Sequence, residues 1–99
     1  MLVIAGTFDV EPSDRDAFLE AAKAVMAETL KEEGCHIYCF TPDISDPGVV
    51  HIFEKWDSED HLGPHLKADH IKTFGRALKG LKVKGRSLTL YEVASEKAM

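Results

Sequence analysis

The sequence predicts an α+β fold of the ferredoxin-like type, in which the elements follow one another as β-α-β-β-α-β. Three observations predict it. Two regions carry apolar residues at helical spacing, four short runs have the composition of strands, and turn or capping residues separate these segments in that order. This order gives an antiparallel sheet with both helices on one face. The 99 residues are predicted to form one domain over residues 1–99.

The spacing of the apolar residues changes between the first predicted strand and the first predicted helix. Residues 2–10, LVIAGTFDV, are predicted to form the strand, which Pro12 follows. Ser13 is a favourable N-cap, and the acidic residues after it suit the first turn of a helix. An apolar stripe at 3.6-residue spacing predicts that this helix runs to about Glu33. Gly34 is then placed to end it in the left-handed conformation.

A hairpin follows the first helix. Residues 35–41, CHIYCFT, and 49–56, VVHIFEKW, have the apolar and aromatic composition of strands. The segment 42–48 between them is rich in residues that fix or permit bends. The link is short, so the second and third strands are predicted to pair antiparallel.

Two helical segments precede the last strand. Ser58 is predicted to cap a short helix, and the pair Gly63-Pro64 is predicted to end it, because proline fits only the first turn of a new helix. A second segment of this helical region is predicted from about residue 65 to residue 79. The last strand is predicted over residues 86–94, RSLTLYEVA.

Composition and charge exclude several classes of protein. The net charge of −5 argues against a nucleic-acid partner, for which a basic patch is expected. No apolar run approaches about 18 residues and no leader-like segment is present, so we predict no membrane partner and a cytoplasmic location. Cys35 and Cys39 are about 13 Å apart if they share a strand, and are predicted to be free thiols. No metal site is predicted, because the predicted helix break separates His61 from His65.

Both faces of the predicted sheet are apolar. In the third strand, Val49 and Phe53 lie on one face, while Val50, Ile52 and Trp56 lie on the other. The face of an antiparallel sheet that meets water usually carries polar residues. Two helices can cover one face only, so a second copy of the chain is predicted to cover the other. The expected assembly is therefore a homodimer.

The stretch from Glu54 to His65 carries the residues best suited to chemistry. A strand ends in Glu54 and Trp56, a capped turn follows, and a helix leads back toward the strand. A carboxylate, an indole ring and an imidazole are thereby brought close together. Histidine suits proton transfer because its reference pKa of about 6.5 is near working pH. This set is appropriate for removing a proton from a flat, apolar organic substrate.

Several short patterns, in their order and spacing, resemble the antibiotic biosynthesis monooxygenase family from residue 2 to about residue 93. They are Glu32-Glu33-Gly34-Cys35-x-x-Tyr38, the turn Asp46-Pro47, and Glu54-x-Trp56-x-Ser58-x-x-x-Leu62-x-x-His65. The resemblance implies a dimeric α/β barrel with a small pocket in each subunit. The family includes cofactor-independent oxygenases of phenols, quinol monooxygenases, haem-degrading enzymes and an isomerase of a signal molecule. The haem-degrading members differ from this chain at three key positions, which are Thr7, His65 and Gly75 here.

The resemblance implies a monooxygenase that needs no cofactor and oxidises a small aromatic or quinol-like substrate with dioxygen. Such an enzyme removes a proton, holds a flat ring and excludes water. His65 stands at the family's position on the second helix and is predicted to accept the proton. Glu54 is predicted to orient it and to stabilise the imidazolium, and Trp56 is predicted to provide a planar wall at the reaction site.

Tyr38, His70 and Phe74 are the predicted substrate-binding residues. Tyr38 is favoured because its hydroxyl needs a partner if it is buried. Phe74 lies on the inward stripe of its helix. His70 follows His65 by five residues, which is about 140° around one helix, so the two imidazoles are not expected to share a face.

Two other functions remain open for the same residues. The dimer can bind a small hydrophobic molecule, or serve only as an interaction module, with His65 bonded locally and Trp56 in the core. An isomerase of a small signalling metabolite would use the same base. It would turn over substrate without taking up oxygen.

Overall fold

The computed structural model describes all residues, Met1–Met99, as four strands and three helices. They are β1 (Leu2–Val10), α1 (Arg15–Thr29), β2 (Cys35–Pro42), β3 (Val49–Trp56), α2 (Glu59–Leu66), α3 (Asp69–Lys79) and β4 (Val83–Glu92). A short 3₁₀ turn over Pro12–Asp14 joins β1 to α1. This order confirms the predicted ferredoxin-like α+β fold. None of the helices combines the length and the apolar character that crossing a membrane requires.

The strands form one antiparallel sheet in the order β2-β3-β1-β4. The register places Ile4 of β1 opposite Glu54 of β3 and opposite Leu90 of β4. β2 and β3 pair as the predicted hairpin. The two central strands, β1 and β3, thus lie between the two edge strands. The functional residues at the end of β3 are held by a strand that is paired on both sides.

The core lies between one face of the sheet and the helices, of which α1 packs against α3 and β2. Its buried apolar members are Leu2, Phe8, Val10, Phe18, Ala22, Val25, Tyr38, Phe40, Val50, Ile52, Trp56, Leu62 and Phe74. Phe18, Ala22 and Val25 form the stripe that α1 turns toward the sheet. Phenylalanine rings from sheet and helices meet here with centroids 5.4–5.8 Å apart. Each ring contributes about 1.5–3 kcal/mol by leaving water.

The first helix is shorter than predicted, because it ends at Thr29 and not near Glu33. The apolar stripe stops there, and the amide of Glu32 bonds to the Thr29 carbonyl three residues back in a tight turn. Gly34 follows with φ of 82°, so the predicted left-handed glycine is confirmed. A Cβ on Gly34 would also strike the His61 ring. This turn directs the Glu32 side chain toward the functional site.

The predicted helix break at Gly63-Pro64 is wrong. α2 runs through both residues to Leu66, and the break falls at Lys67 and Ala68, where ψ of Ala68 is 150°. A proline within a helix removes one backbone bond, and in a helix of 8 residues the loss is confined to its last turn. The chain then changes direction before α3 begins. His65 and His70 therefore lie on different helices, and the predicted 140° separation does not apply.

The last strand begins three residues earlier than predicted and ends two residues earlier. Val83 already pairs with Val10 of β1, and Glu92 pairs with Leu2. β4 pairs with β1 along the whole of β1, and this pairing sets where β4 begins and ends. A register shift interrupts the pairing near Val10. The polar composition of residues 82–86 concealed this extension, because an exposed edge strand tolerates charged residues.

The face of the sheet opposite the helices has no cover within the chain. Ile37, Phe53 and Tyr91 on this face are 38%, 41% and 52% exposed. The helices also leave β4 uncovered, and none of its residues is buried. The predicted apolar second face is thus present in the folded chain.

Candidate active site

The candidate site lies where the end of β3 meets the helical region. Glu54 and Trp56 project from the helix-covered face of β3, and His65 reaches them from α2. The turn after α1 supplies Glu32, and the start of α3 supplies His70. Side chains from four parts of the chain thus converge on one point.

The imidazole of His65 is the centre of this group and is only 2% exposed. Its ring centroid is 4.6 Å from that of Trp56, at an interplanar angle of 44°. The Tyr38 ring lies 5.2 Å away and meets it nearly edge-on, at 66°. The imidazole is therefore held between two aromatic rings. Three residues that the sequence singled out are in contact here.

Glu32 orients His65 by a direct hydrogen bond. The Nδ1 atom of His65 lies 2.6 Å from Oε2 of Glu32, and Nε2 of His70 lies 2.8 Å from the same oxygen. A carboxylate only accepts hydrogen bonds, so both imidazole nitrogens donate to it. In the neutral imidazole with its proton on Nδ1, Nε2 carries no proton and can accept one.

The sequence assigned this orienting role to Glu54 and did not single out Glu32. Glu32 lies 33 residues from His65 in the chain, within a polar run that carries no periodic signal. One signal was available, because Glu32 opens the first of the family-like patterns. Only the turn after α1 brings it to the imidazole.

Glu54 faces the other side of the same ring. Its Oε1 accepts a hydrogen bond of 3.0 Å from Nε1 of Trp56 and lies 4.0 Å from Nε2 of His65. Burial raises the pKa of the Glu54 carboxyl, and the Trp56 hydrogen bond and His65 lower it in part. A separation of 4.0 Å is too long for a hydrogen bond, but a hydroxyl oxygen offset from that line can lie about 2.8 Å from both atoms.

Tyr38 and Cys35 are neutral groups beside the two carboxylates. Burial raises the pKa of the Tyr38 phenol well above its usual range, and the nearby charge of Glu54 adds to the effect. Burial also raises the pKa of the Cys35 thiol to about 11, with further contributions from Glu32 and Glu54. Tyr38 is therefore a hydrogen-bond donor at neutral pH. Cys35 is not a nucleophile, since the thiolate is the reactive form.

His70 and Phe74 lie on the outer side of the site. They line a groove of about 310 Å³ between α1 and α3, together with small and apolar residues. His65, Trp56 and Tyr38 do not line this groove. The predicted substrate-binding residues are thus divided. Tyr38 lies inside the core, Phe74 lies between core and groove, and His70 lines the groove and is joined to His65 through Glu32.

The remaining histidines lie outside the site. His36 pairs with Asp57 at 2.5 Å and His51 pairs with Asp43 at 2.7 Å, both on the surface. His61 shares α2 with His65, because that helix is not broken between them. Its Nδ1 is bonded to Ser58 at 3.1 Å, so it is turned away from the site.

Known proteins with similar sequences show to which family the chain belongs. The model of the family described as antibiotic biosynthesis monooxygenase matches residues 1–77. The chain is 31% identical over 90 residues to the "Probable quinol monooxygenase YgiN" of Escherichia coli (strain K12). That alignment covers 81% of this chain and 86% of the relative.

Solved structures agree with this sequence relationship. A "putative antibiotic biosynthesis monooxygenase" from Deinococcus radiodurans superposes with a TM-score of 0.91 at 26% identity, covering 100% of this chain and 98% of the other. A conserved protein from Methanosarcina mazei Go1 gives 0.83 at 28% identity, covering 91% and 89%. These similarities support a monooxygenase as the class of activity. The resemblance noted in the sequence is confirmed, and the chain belongs to the antibiotic biosynthesis monooxygenase family.

Proposed function

We propose that the protein is a cofactor-independent monooxygenase that oxidises a small aromatic or quinol-like molecule with dioxygen. The observation that carries the proposal is the buried imidazole of His65, bonded at Nδ1 to Glu32 and held between Trp56 and Tyr38. The relative named as a quinol monooxygenase supports the substrate class. The cytoplasmic location remains a prediction.

The first step is removal of a proton from a substrate hydroxyl by Nε2 of His65. The hydroxyl would lie in the 4.0 Å gap between Nε2 and Glu54, within reach of both. The imidazolium that forms is stabilised by Glu32, whose oxygen is 2.6 Å from Nδ1. The site is buried, so this attraction is screened less than it would be in water.

The second step is the reaction of the deprotonated substrate with dioxygen. A quinolate passes one electron to dioxygen, and the resulting semiquinone and superoxide combine to form a carbon–oxygen bond. The imidazolium of His65 returns its proton to the peroxide. The oxygen–oxygen bond then breaks, with loss of water, and leaves a hydroxylated quinone. One oxygen atom enters the product and the other leaves as water, so atoms and electrons balance.

Measurement of oxygen uptake with a panel of quinols of increasing ring number tests this function. His65→Gln should lower kcat by about 10²-fold, the usual scale for one acid–base group. His36→Gln is the matched control, because it removes a surface histidine that also pairs with a carboxylate. Thermal unfolding of both variants checks that the buried substitution leaves the chain folded. Failure of the native protein to consume oxygen with any member of the panel would exclude the proposal.

A non-catalytic binding or interaction module is the second candidate function. The observation in its favour is the tight packing around His65, because three cavities of about 300–340 Å³ each are lined by other residues and not by His65, Trp56 or Tyr38. Substrate must therefore displace side chains to reach Nε2. Binding of quinols without turnover would favour this candidate. Turnover without oxygen uptake would instead indicate the isomerase.

The homodimer belongs to the same proposal. A second copy of the chain, packed on the bare face of the sheet, would cover Ile37, Phe53 and Tyr91. Phe53→Arg should then convert the dimer to a monomer in sedimentation experiments. Leu66→Arg, at an even more exposed apolar residue on the helical side, should leave the dimer intact. A native particle of 11.0 kDa at micromolar concentration would contradict the assembly.

A further inference from the structure

We propose that Glu32, His65 and His70 form a binding site for one divalent transition-metal ion of the Zn²⁺ type, and that the bound ion prevents His65 from accepting a proton. The proposed function uses the bond from His65 to Glu32 but does not need the bond from His70 to the same oxygen. One carboxylate joins two imidazoles, and the three donor atoms lie within 4.8 Å of one another.

The ligand types are those of a known class of zinc site. Two histidines and one glutamate supply three ligands, and the fourth position of the ion remains open for water or another ligand. The three side chains come from the turn after α1, from α2 and from α3, so the folded chain brings them together before any ion arrives. The Trp56 and Tyr38 rings hold the His65 imidazole in place.

Binding of an ion requires each ligand to shift, because the three donor atoms, which lie within 4.8 Å of one another, must become about equally spaced. Donor atoms bound about 2.0–2.1 Å from a tetrahedral ion are about 3.3 Å apart. Oε2 of Glu32 is now 2.6 Å from His65 and 2.8 Å from His70, so it would withdraw by roughly half an ångström. The His70 side chain is 22% exposed and can rotate. The ion would replace the two protons that now join the carboxylate to the imidazoles.

An entry path leads from solvent to these donors. Glu32 opens into a crevice of about 340 Å³ whose other walls are Glu33, Asp60, His61 and Pro64. No apolar residue lines this crevice apart from the proline ring, and the carboxylates there raise the local concentration of cations. A hydrated divalent ion can therefore approach Glu32, to which His70 is bonded, without opening the core.

The effect on catalysis follows from the two nitrogens of His65 and rests on the proposed function. An ion on Nδ1 requires the neutral imidazole, whose single proton is then on Nε2. Nε2 faces the gap in front of Glu54, where the substrate hydroxyl would lie. The base is therefore unavailable while the ion is bound, and oxygen uptake should stop.

Titration of chelator-treated native protein with Co²⁺ tests the site directly. We expect one ion per chain, with the visible absorption bands of a four- or five-coordinate ion, and displacement of Co²⁺ by Zn²⁺. Glu32→Gln and His70→Gln should each weaken binding by at least about 100-fold, since even outer-sphere substitutions cost up to that much. His36→Gln and His51→Gln, which alter the surface histidine–aspartate pairs, should change it by less than about three-fold.

Two results would overturn the site. One is native protein that shows no saturable Co²⁺ binding, and the other is binding that survives in Glu32→Gln and His70→Gln. Both substitutions are at partly exposed side chains, and thermal unfolding confirms that the variants are folded.

Oxygen uptake with a quinol then tests the regulatory part. Zn²⁺ should inhibit the native protein at least about ten-fold, and the remaining activity of His70→Gln should not respond to Zn²⁺. Stimulation by Zn²⁺, or inhibition that persists in His70→Gln, would overturn this part. If the native protein has no quinol activity, the proposed function fails, and the Co²⁺ titration still decides whether the metal site exists.

Discussion

Both faces of the sheet carry apolar residues, but the helices cover only one of the two faces. On β3, Val50, Ile52 and Trp56 point toward the helices and are no more than 4% exposed. Phe53, between them on the same strand, points to the bare face and is 41% exposed. Apolar composition therefore does not by itself decide burial in this chain. The position of the helices decides it.

Two histidine–carboxylate pairs differ in the same way, because one lies on the covered face and the other lies on the surface. His65 and Glu32 meet on the covered face at 2.6 Å, and His51 and Asp43 meet at 2.7 Å on the surface. Their hydrogen bonds are nearly equal in length, but solvent screens the outer pair, whereas the core excludes solvent from the His65 imidazole, which is 2% exposed. The electrostatic interaction at His65 is therefore screened less than that of the outer pair.

The largest expected effect is on the free energy of unfolding, for substitutions on the two faces of β3. Trp56→Ala should lower the free energy of unfolding by about 3–5 kcal/mol, because the buried indole leaves a cavity. Phe53→Ala should cost less than about 1.5 kcal/mol in the monomeric chain, since its ring already meets water. Urea unfolding measures both. An effect of Phe53→Ala that grows with protein concentration would show that a second copy covers this face.

The next effect concerns the buried carboxyl of Glu54. The pKa of this carboxyl is higher in the folded chain than in the unfolded chain. The group therefore favours folding at pH values below its unfolded pKa, and this contribution is lost as pH rises through its folded pKa. Glu54→Gln keeps an acceptor for Trp56 and removes the buried charge. The variant should therefore have a higher Tm than native protein at pH 8, and the difference should shrink toward pH 4. A lower Tm at pH 8 would show that the charge is stabilised in the fold.

A smaller effect is expected from a buried hydroxyl at the end of α1. Oγ1 of Thr29 is buried and has no hydrogen-bond partner. Thr29→Val keeps the shape of the side chain and should raise the free energy of unfolding by about 1 kcal/mol, because an unsatisfied polar group is removed. Thr73→Val, on the exposed side of α3, is the control and should change it by less than about 0.5 kcal/mol. A destabilised Thr29→Val would mean that the hydroxyl is bonded.

The smallest effect is expected from the outer histidine–aspartate pair. The hydrogen bond from His51 lowers the pKa of Asp43, and the backbone amides of Asp46 and Ser45 lower it further. A lowered carboxyl pKa contributes stability above the unfolded value of about 3.9, and this is lost as pH falls through the folded pKa. Asp43→Asn should therefore lower Tm slightly at pH 7, with the difference disappearing as pH falls through the folded pKa of Asp43. A difference that is constant with pH would contradict this.

The sequence alone determined the order of elements and most of their limits. The stripe of Phe18, Ala22 and Val25, the alternation along β3 and the left-handed Gly34 were all predicted correctly. Each depends on local sterics and on the 3.6- and 2-residue periods, which neighbouring residues establish among themselves. The apolar second face was predictable for the same reason.

Tertiary structure decided what surrounds His65. Glu32 reaches its imidazole because the first helix ends early, and His70 joins them because the helix break lies beyond Pro64. These contacts join residues up to 38 positions apart, and no local pattern encodes the angle at which two helices meet. That angle is set by how the helices pack on the sheet. The sequence therefore predicted several residues that meet at the candidate site, and only the packed chain determined which carboxylate holds the histidine.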